Sequence, residues 1–129
     1  MKENYPWKNP VKSTGTYDVY EDGFPVNEGH LLFVPRVDEQ GDVIKCLEAA
    51  YRYGRSKVTN SEWEAFNVGL NGGEAAGQTC SWSHVHLIPR FKGDMKNPIG
   101  GVRGVIPERQ NYKEGDYYAE HRKRIYGSE

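Results

Sequence analysis

The sequence predicts an α+β protein with a mostly antiparallel sheet, one main helix and a C-terminal helix. Several short segments are continuously apolar or alternate between apolar and polar residues, as strands do, and turn-forming residues separate them. One longer segment instead repeats its apolar residues at helical spacing. The 129 residues are enough for one domain with a sizeable core, so we expect a single domain over residues 1–129.

The first part of the chain predicts an irregular arm and two strands. The arm covers about residues 1–14, where Pro6 and Pro10 disfavour a helix or a central strand. Residues 16–22 (TYDVYED) alternate and are rich in Tyr and Val, which predicts a strand. After a turn cluster of Gly, Pro and Asn, residues 30–36 (HLLFVPR) form a continuous apolar run, which predicts a buried strand.

The main helix is predicted over residues 42–55 (DVIKCLEAAYRYGR). From Val43 onward, apolar residues recur at i, i+1, i+4, i+7 and i+8, which places them on one face of a helix. Asp42 is the expected N-cap and Gly54 the expected stop.

The remaining segments predict two more strands and a second helix. The strands cover residues 62–71 (EWEAFNVGLN) and 83–90 (SHVHLIPR), with a turn or one-turn helix at 72–77 (GGEAAG) between them. The C-terminal tail, about residues 113–129, includes a predicted polar and partly exposed helix over 116–127.

The composition argues against several classes of protein. No apolar run approaches the roughly 18 residues of a membrane span, and the mean hydropathy is −0.82, so we expect no membrane partner. The N-terminal residues lack the apolar core of a signal peptide, and we expect a cytoplasmic protein. A net charge of −1 without a basic stripe argues against a nucleic-acid partner. Cys46 and Cys80 have no metal-type spacing, and we expect reduced thiols.

His84 and His86, one residue apart in the last predicted strand, are the principal candidates for chemistry. Residues two apart in a strand share a face about 7 Å apart, so both imidazoles point the same way. Trp82 precedes them in the same alternation, while Val85 and Leu87 face the opposite side.

Three interpretations of the histidine pair compete. It is a pair of half-buried packing residues, a metal site completed by His30, or a catalytic centre. A neutral imidazole is a good nucleophile near pH 7 and can attack phosphorus when donors neutralise the phosphate oxygens. The preceding residues 71–79 (NGGEAAGQT) offer backbone N–H groups between small side chains, which suits an anion and favours catalysis.

The stretch NGGEAAGQTCSWSHVHLIPR (71–90) resembles the signature of the histidine triad (HIT) superfamily of nucleotide hydrolases and transferases, in which alternating histidines follow a GQ[TS] segment. Residues 20–36 and 90–112 are similar to further motifs of the family, the latter to its bacterial diadenosine-tetraphosphate hydrolase-like branch. The resemblance covers roughly residues 15–112 and implies a HIT-like fold.

The resemblance also implies roles for individual residues. The family's nucleophile falls on His84, and the histidine that contacts the reacting phosphate falls on His86. The aspartate that binds the ribose hydroxyls falls on Asp22. Other nucleotide- or phosphate-binding positions of the family fall on His30, Asn71, Gln78 and Thr79.

Trp82 departs from the family pattern, because it occupies the place of the first triad histidine. In the family, the main-chain carbonyl at that position is thought to accept a hydrogen bond from Nδ1 of the nucleophile, which any residue can provide. We therefore expect Trp82 to keep that bond and to act as a pocket wall or to fill core volume. Arg103 is a further candidate pocket residue, because a guanidinium suits phosphate geometry, or else it is an ordinary ion-paired arginine.

The implied function is hydrolysis or transfer at the α-phosphate of a dinucleoside polyphosphate or nucleoside phosphoramidate, through a nucleotidyl-histidine intermediate. The alternative is a nucleotide-binding sensor or interaction module with weakened catalysis. The resemblance requires no metal held by protein side chains, although Mg²⁺ could arrive with a polyphosphate substrate, and it implies a homodimer.

Overall fold

The computed structural model describes residues 5–114 and 118–127, and the chain divides after Asp94 into two compact units. Within the described residues, the first unit holds a five-stranded, wholly antiparallel sheet in the order β1-β2-β3-β5-β4, which packs against one long helix. The elements are β1 (Lys12–Ser13), β2 (Tyr17–Glu21), β3 (Leu31–Pro35), α1 (Gln40–Thr59), β4 (Ala65–Gly69) and β5 (Val85–Arg90). The predicted α+β class is confirmed.

Strand β3 lies in the interior of the sheet and is buried along its whole length. Leu31 and Phe33 pack into the cluster that faces α1, whereas Leu32 and Val34 pack on the opposite face. A strand that is covered on both sides needs apolar residues at every position. This burial explains why residues 30–36 form a continuous apolar run rather than an alternating one.

Helix α1 is longer than predicted at both ends. Its N-cap is Glu39, not Asp42, and Asp42 instead lies in the first turn, where a negative charge is favourable. Gly54 does not end the helix but is buried within it. A Cβ atom at Gly54 would lie 2.7 Å from Cδ2 of Phe66, so glycine is needed there for close packing of β4 against the helix.

The segment that carries the histidines differs from the prediction at its start. Strand β5 begins at Val85, so His84 lies just before the strand rather than inside it. Within β5, buried Val85 and Leu87 alternate with half-buried His86 and Ile88, as predicted.

The other predicted elements are present with narrower bounds. Residues 62–71 contain β4, and 72–77 contain a single 3-10 turn at Glu74–Ala76. The arm predicted over 1–14 is irregular over its described residues only up to Val11, because Lys12–Ser13 pair with β2.

The second unit consists of 3-10 turns at Gly101–Val105 and Pro107–Arg109, followed by helix α2 (Ala119–Tyr126). The helix is exposed, as predicted, and residues 116 and 117 of the predicted range lie outside the described part. Whether both units make up the single domain expected over 1–129 stays a prediction. Among the described residues, no helix combines the length and apolar character that crossing a membrane requires.

Candidate active site

The proton positions on His84 are fixed by a single main-chain contact. Its Nδ1 lies 2.9 Å from the carbonyl oxygen of Trp82. A carbonyl can only accept, so Nδ1 must carry a proton, and in the neutral imidazole Nε2 then keeps its lone pair. The hydrogen bond expected from the resemblance is therefore present, and Trp82 provides it through its backbone.

His86 carries its proton on the other nitrogen. The N–H of Val26 donates to Nδ1 of His30 at 3.0 Å, which leaves the proton of His30 on Nε2. Nε2 of His30 lies 3.0 Å from Nδ1 of His86, which must then accept. His86 consequently carries its own proton on Nε2. Two adjacent imidazoles thus have opposite tautomers: Nε2 is a lone pair on His84 and a donor on His86.

His30 and His86, which share this hydrogen bond, are both neutral at physiological pH. His30 is buried, with 4% of its surface exposed, and burial lowers its pKa. Burial, followed by the nearby rings of His84 and His30, lowers the pKa of His86 to about 4, although the charge of Asp22 acts in the opposite direction. The rings of His84 and His86 lie 5.2 Å apart between centroids. His86 can therefore donate from Nε2 beside His84 without adding a charge.

Asp22 lies beside His30 and His86. One of its oxygens, Oδ1, accepts a hydrogen bond from the N–H of Phe24 at 2.7 Å. The other, Oδ2, is 3.3 Å from Nε2 of His30 and 3.8 Å from Nδ1 of His86. The structure thus brings Asp22, His30 and His86 together. The ribose contact expected of Asp22 stays a prediction.

Asp22, His30 and His86 also form a candidate metal-binding group among the described residues, since one ligand atom of each lies within 4.8 Å of the others. This group differs from the metal site considered from the sequence, because Asp22 takes the place of His84. A ligating nitrogen needs a free lone pair, yet the Val26 contact keeps the proton of His30 on Nε2. The hydrogen bonds of the described site therefore favour a hydrogen-bonded pair of imidazoles over metal coordination.

The glycine-rich segment before the histidines is held by Gln78. Its Oε1 accepts from the N–H of Gly73 at 2.8 Å, and its Nε2 donates to the carbonyl of Cys80 at 2.9 Å. Asn71 is half-buried and Thr79 exposed. The phosphate contacts expected of Asn71, Gln78 and Thr79 stay predictions, and in this structure Gln78 shapes the loop.

The side chain of Trp82 is packed on the sheet face opposite α1, together with Tyr20, Leu32 and Val34. Its Nε1–H donates to the carbonyl of Pro35 at 2.8 Å, which fixes the indole in place. The structure thus gives this side chain a packing role. That it also lines the substrate pocket stays a prediction.

Arg103 lies in the second unit, where its guanidinium is engaged within that unit. It donates to the carbonyls of Gln110 and Arg109 and to the hydroxyl of Tyr118. Its proposed pocket contact stays a prediction.

Two aromatic residues of the arm were missed by the sequence reasoning. Trp7 lies beside the nucleophile candidate, with its ring centroid 5.0 Å from that of His84. Tyr5 packs edge-on against Trp82 at 5.3 Å. A signal was available, because Tyr5 and Trp7 are large aromatic residues in a segment, NYPWKNP, that is otherwise polar or Pro-rich.

No protein-family model matches the chain. Among curated proteins, an AP-4-A phosphorylase of Mycobacterium tuberculosis is 38% identical over 95 residues, covering 66% of this chain and 48% of the relative. An uncharacterized HIT-like protein of Methanocaldococcus jannaschii is 33% identical over 84 residues, covering 54% and 59%. A bis(5'-adenosyl)-triphosphatase of Saccharomyces cerevisiae is 26% identical over 103 residues, covering 71% and 46%. The chain spans about half the length of these curated relatives.

Solved structures show the same fold. A Zn-bound histidine triad family protein of Mycobacterium smegmatis superposes with a TM-score of 0.60 at 24% identity, covering 68% of this chain and 69% of that one. A HIT family protein of Bacillus anthracis gives a TM-score of 0.57 at 22% identity, covering 93% and 86%.

Proposed function

Because the chain has histidine triad homologues and the histidine triad fold, we propose that it is a nucleotide hydrolase or nucleotidyl transferase acting at an α-phosphate. The substrate class is a dinucleoside polyphosphate or a nucleoside phosphoramidate. The observation that carries the proposal is the pair of opposite tautomers, which offers a lone pair on Nε2 of His84 beside an N–H donor on Nε2 of His86.

In the first step, the Nε2 lone pair of His84 forms a bond to the α-phosphorus. The bond from phosphorus to the leaving group breaks, and its electron pair departs with the nucleoside polyphosphate, or with an amine that takes up a proton from water. The imidazole keeps its proton on Nδ1 and acquires one positive charge. The carbonyl of Trp82, already 2.9 Å from Nδ1, stabilises that charge through a stronger, charge-assisted hydrogen bond.

The oxygens of the reacting phosphate are stabilised by His86. Its Nε2–H donates to a non-bridging oxygen, and such fixed donors are usually the largest contribution to this kind of catalysis. His30 supports the donor indirectly, because its own Nε2–H occupies Nδ1 of His86 and holds the tautomer. Asn71, Gln78, Thr79 and backbone N–H groups of the glycine-rich segment complete the proposed phosphate contacts.

In the second step, water attacks the phosphorus of the nucleotidyl-histidine. The N–P bond breaks, and its electrons return to Nε2 of His84 as the lone pair. The water loses a proton to solvent, and a nucleoside monophosphate is released. Asp22 binds the ribose hydroxyls in this proposal, which is supported by its position beside His86. Mg²⁺ entering with the substrate, a homodimer and a cytoplasmic location belong to the same proposal.

The test is detection of the covalent intermediate. The protein is mixed rapidly with diadenosine tetraphosphate or adenosine 5'-phosphoramidate, quenched in alkali to protect an acid-labile N–P bond, digested and analysed by mass spectrometry. We expect an adenylyl group on the peptide that contains His84, and none in His84→Ala. Product release by His84→Ala at the unmodified rate would contradict the proposal.

A second candidate function is a nucleotide-binding sensor with little turnover. It is supported by Trp82, which stands where the family resemblance places a third histidine. Tight binding of diadenosine tetraphosphate without adduct or product would support the sensor and exclude the enzyme.

A further inference from the structure

The N-terminal arm is anchored to the sheet by Tyr5. Its ring stands edge-on to Trp82 at 5.3 Å, with an interplanar angle of 86°. Its hydroxyl lies 2.7 Å from the hydroxyl of Tyr20, so the two phenols share a hydrogen bond. Burial raises the pKa of Tyr5, and the bond to Tyr20 adds to that effect, so the hydroxyl stays protonated. The anchor therefore combines an aromatic contact with Trp82 and a hydrogen bond to Tyr20.

This anchor fixes the position of Trp7, two residues further along. The ring of Trp7 packs edge-on to Tyr5 at 5.0 Å and lies tilted against Tyr20 at 6.2 Å. From there it reaches the ring of His84, at 5.0 Å between centroids and a tilt of 57°. The imidazole is therefore held by its bond to the Trp82 carbonyl and is also in contact with an indole from the arm.

We propose that Trp7 is a positioning residue for the reaction of His84, whose indole stabilises the positive charge that the imidazole acquires when Nε2 bonds to phosphorus. The inference rests on the proposed function. Cations within about 6 Å of an aromatic centroid are attracted by the ring, and Trp attracts them most strongly. Because His84 attacks through the lone pair of Nε2 and becomes cationic once the bond to phosphorus has formed, this attraction arises only as the reaction proceeds. It therefore lowers the barrier without strengthening substrate binding.

An indole at position 82 also suits this arrangement of the arm. An imidazole at that position is smaller than an indole and would offer Tyr5 less apolar surface. The indole, fixed by its bond to the carbonyl of Pro35, provides a broad wall for the Tyr5 ring. With Trp82 in place of a third histidine, the site lacks one imidazole. The indole instead packs against Tyr5 of the arm, and the arm places the ring of Trp7 beside His84.

The test measures adduct formation in single-turnover experiments with saturating diadenosine tetraphosphate, for Trp7→Phe and Trp7→Leu. We expect a loss of about threefold for Phe and about tenfold or more for Leu in the rate of adduct formation. The dissociation constant for the nucleotide should change less than about threefold, because the interaction arises after binding. Trp63, which packs near Tyr53 in the cluster facing α1, provides the matched control. Trp63→Leu should keep the rate of the unmodified protein.

Fluorinated indoles make the test independent of folding. Tryptophan analogues with increasing fluorine, inserted at position 7 alone, keep the shape of the ring and weaken its attraction for cations. We expect the rate of adduct formation to fall stepwise with fluorine content. A flat series, an unchanged rate in Trp7→Leu, or weaker binding with an unchanged rate at saturation would overturn the inference. Each of these results still requires an adduct in the unmodified protein, whereas absence of that adduct would refute the proposed function itself.

Discussion

The two faces of the sheet are built from different chemistry. The face toward α1 is closed by aliphatic, small and aromatic residues that serve packing, with Val85 and Leu87 fully buried against a helix that contributes Cys46 and Ala50. The opposite face carries imidazoles and large aromatic rings, and an irregular arm lies against it rather than a helix. Consecutive residues of β5 supply both faces. Stability and chemistry are therefore separated by the alternation of a single strand, and substitutions one residue apart should have different consequences.

The strongest test of this separation is His84→Ala. Removing the nucleophile should lower turnover of diadenosine tetraphosphate by at least about a thousandfold, because no binding contact can replace the N–P bond. Nucleotide affinity should stay within about tenfold and the melting temperature should be nearly unchanged. Calorimetric binding, thermal unfolding and product assays check the three quantities. Cys80→Ala is the control, and its turnover should be within about threefold of normal.

The opposite pattern is expected for Leu87→Ala, three residues away on the helix face. Leu87 is fully buried, and removing its side chain should lower the free energy of unfolding by about 2–5 kcal/mol. Turnover per folded molecule should stay within about threefold, since the residue points away from the imidazoles. Denaturant unfolding and single-turnover assays at low temperature check both. A large loss of rate in fully folded Leu87→Ala would mean that the two faces are coupled.

The pH dependence of the free energy of unfolding should differ between variants of the two faces, because His86 lies on the face that carries the imidazoles. Its pKa is about 4 in the folded protein and near 6.5 in an unfolded chain, so between these values the unfolded state binds more protons. Stability is therefore fully present above pH 6.5 and falls as the pH decreases toward 4. From pH 6.5 to 5 the loss should be roughly 2 kcal/mol. Urea unfolding across this range should show that slope in Leu87→Ala but a smaller one in His86→Asn, and equal slopes would remove His86 as the source.

The sequence predicted β2 to β5 because the pattern of apolar residues within each of these strands reflects its own burial, whereas β1 fell inside the predicted irregular arm. The continuous run of 30–36 and the alternation of 85–90 needed no knowledge of distant contacts. The end of α1 was predicted wrongly because Gly54 is required by Phe66, a partner on another element. The prediction relied on local rules for helix ends, which cannot detect such a contact.

The candidate site divides in the same way. His84 and His86 could be selected from their spacing along the chain, and Asp22 and His30 from the family resemblance. The opposite tautomers could not, since the proton on His86 depends on His30 and ultimately on the N–H of Val26. The contact of Trp7 with His84 joins residues far apart in the sequence, and no local pattern predicts it.

The smallest effect is expected for Trp82→Phe, because Trp82 serves the site through its backbone carbonyl and packing through its side chain. The backbone carbonyl that fixes the His84 tautomer remains, and a phenyl ring still faces Tyr5, so the rate of adduct formation should stay within about threefold. The side chain loses the Nε1–H that donates to the carbonyl of Pro35. Losing one such hydrogen bond should lower the free energy of unfolding by about 1 kcal/mol.

Thermal unfolding and rapid-mixing experiments on Trp82→Phe measure these two quantities separately. If the variant is slightly less stable but forms the adduct equally fast, the indole contributes to packing and not to the reaction. A variant that is equally stable but more than about tenfold slower would show that the indole N–H serves the chemistry. The Trp82 carbonyl would then be insufficient to explain how His84 works without a third imidazole.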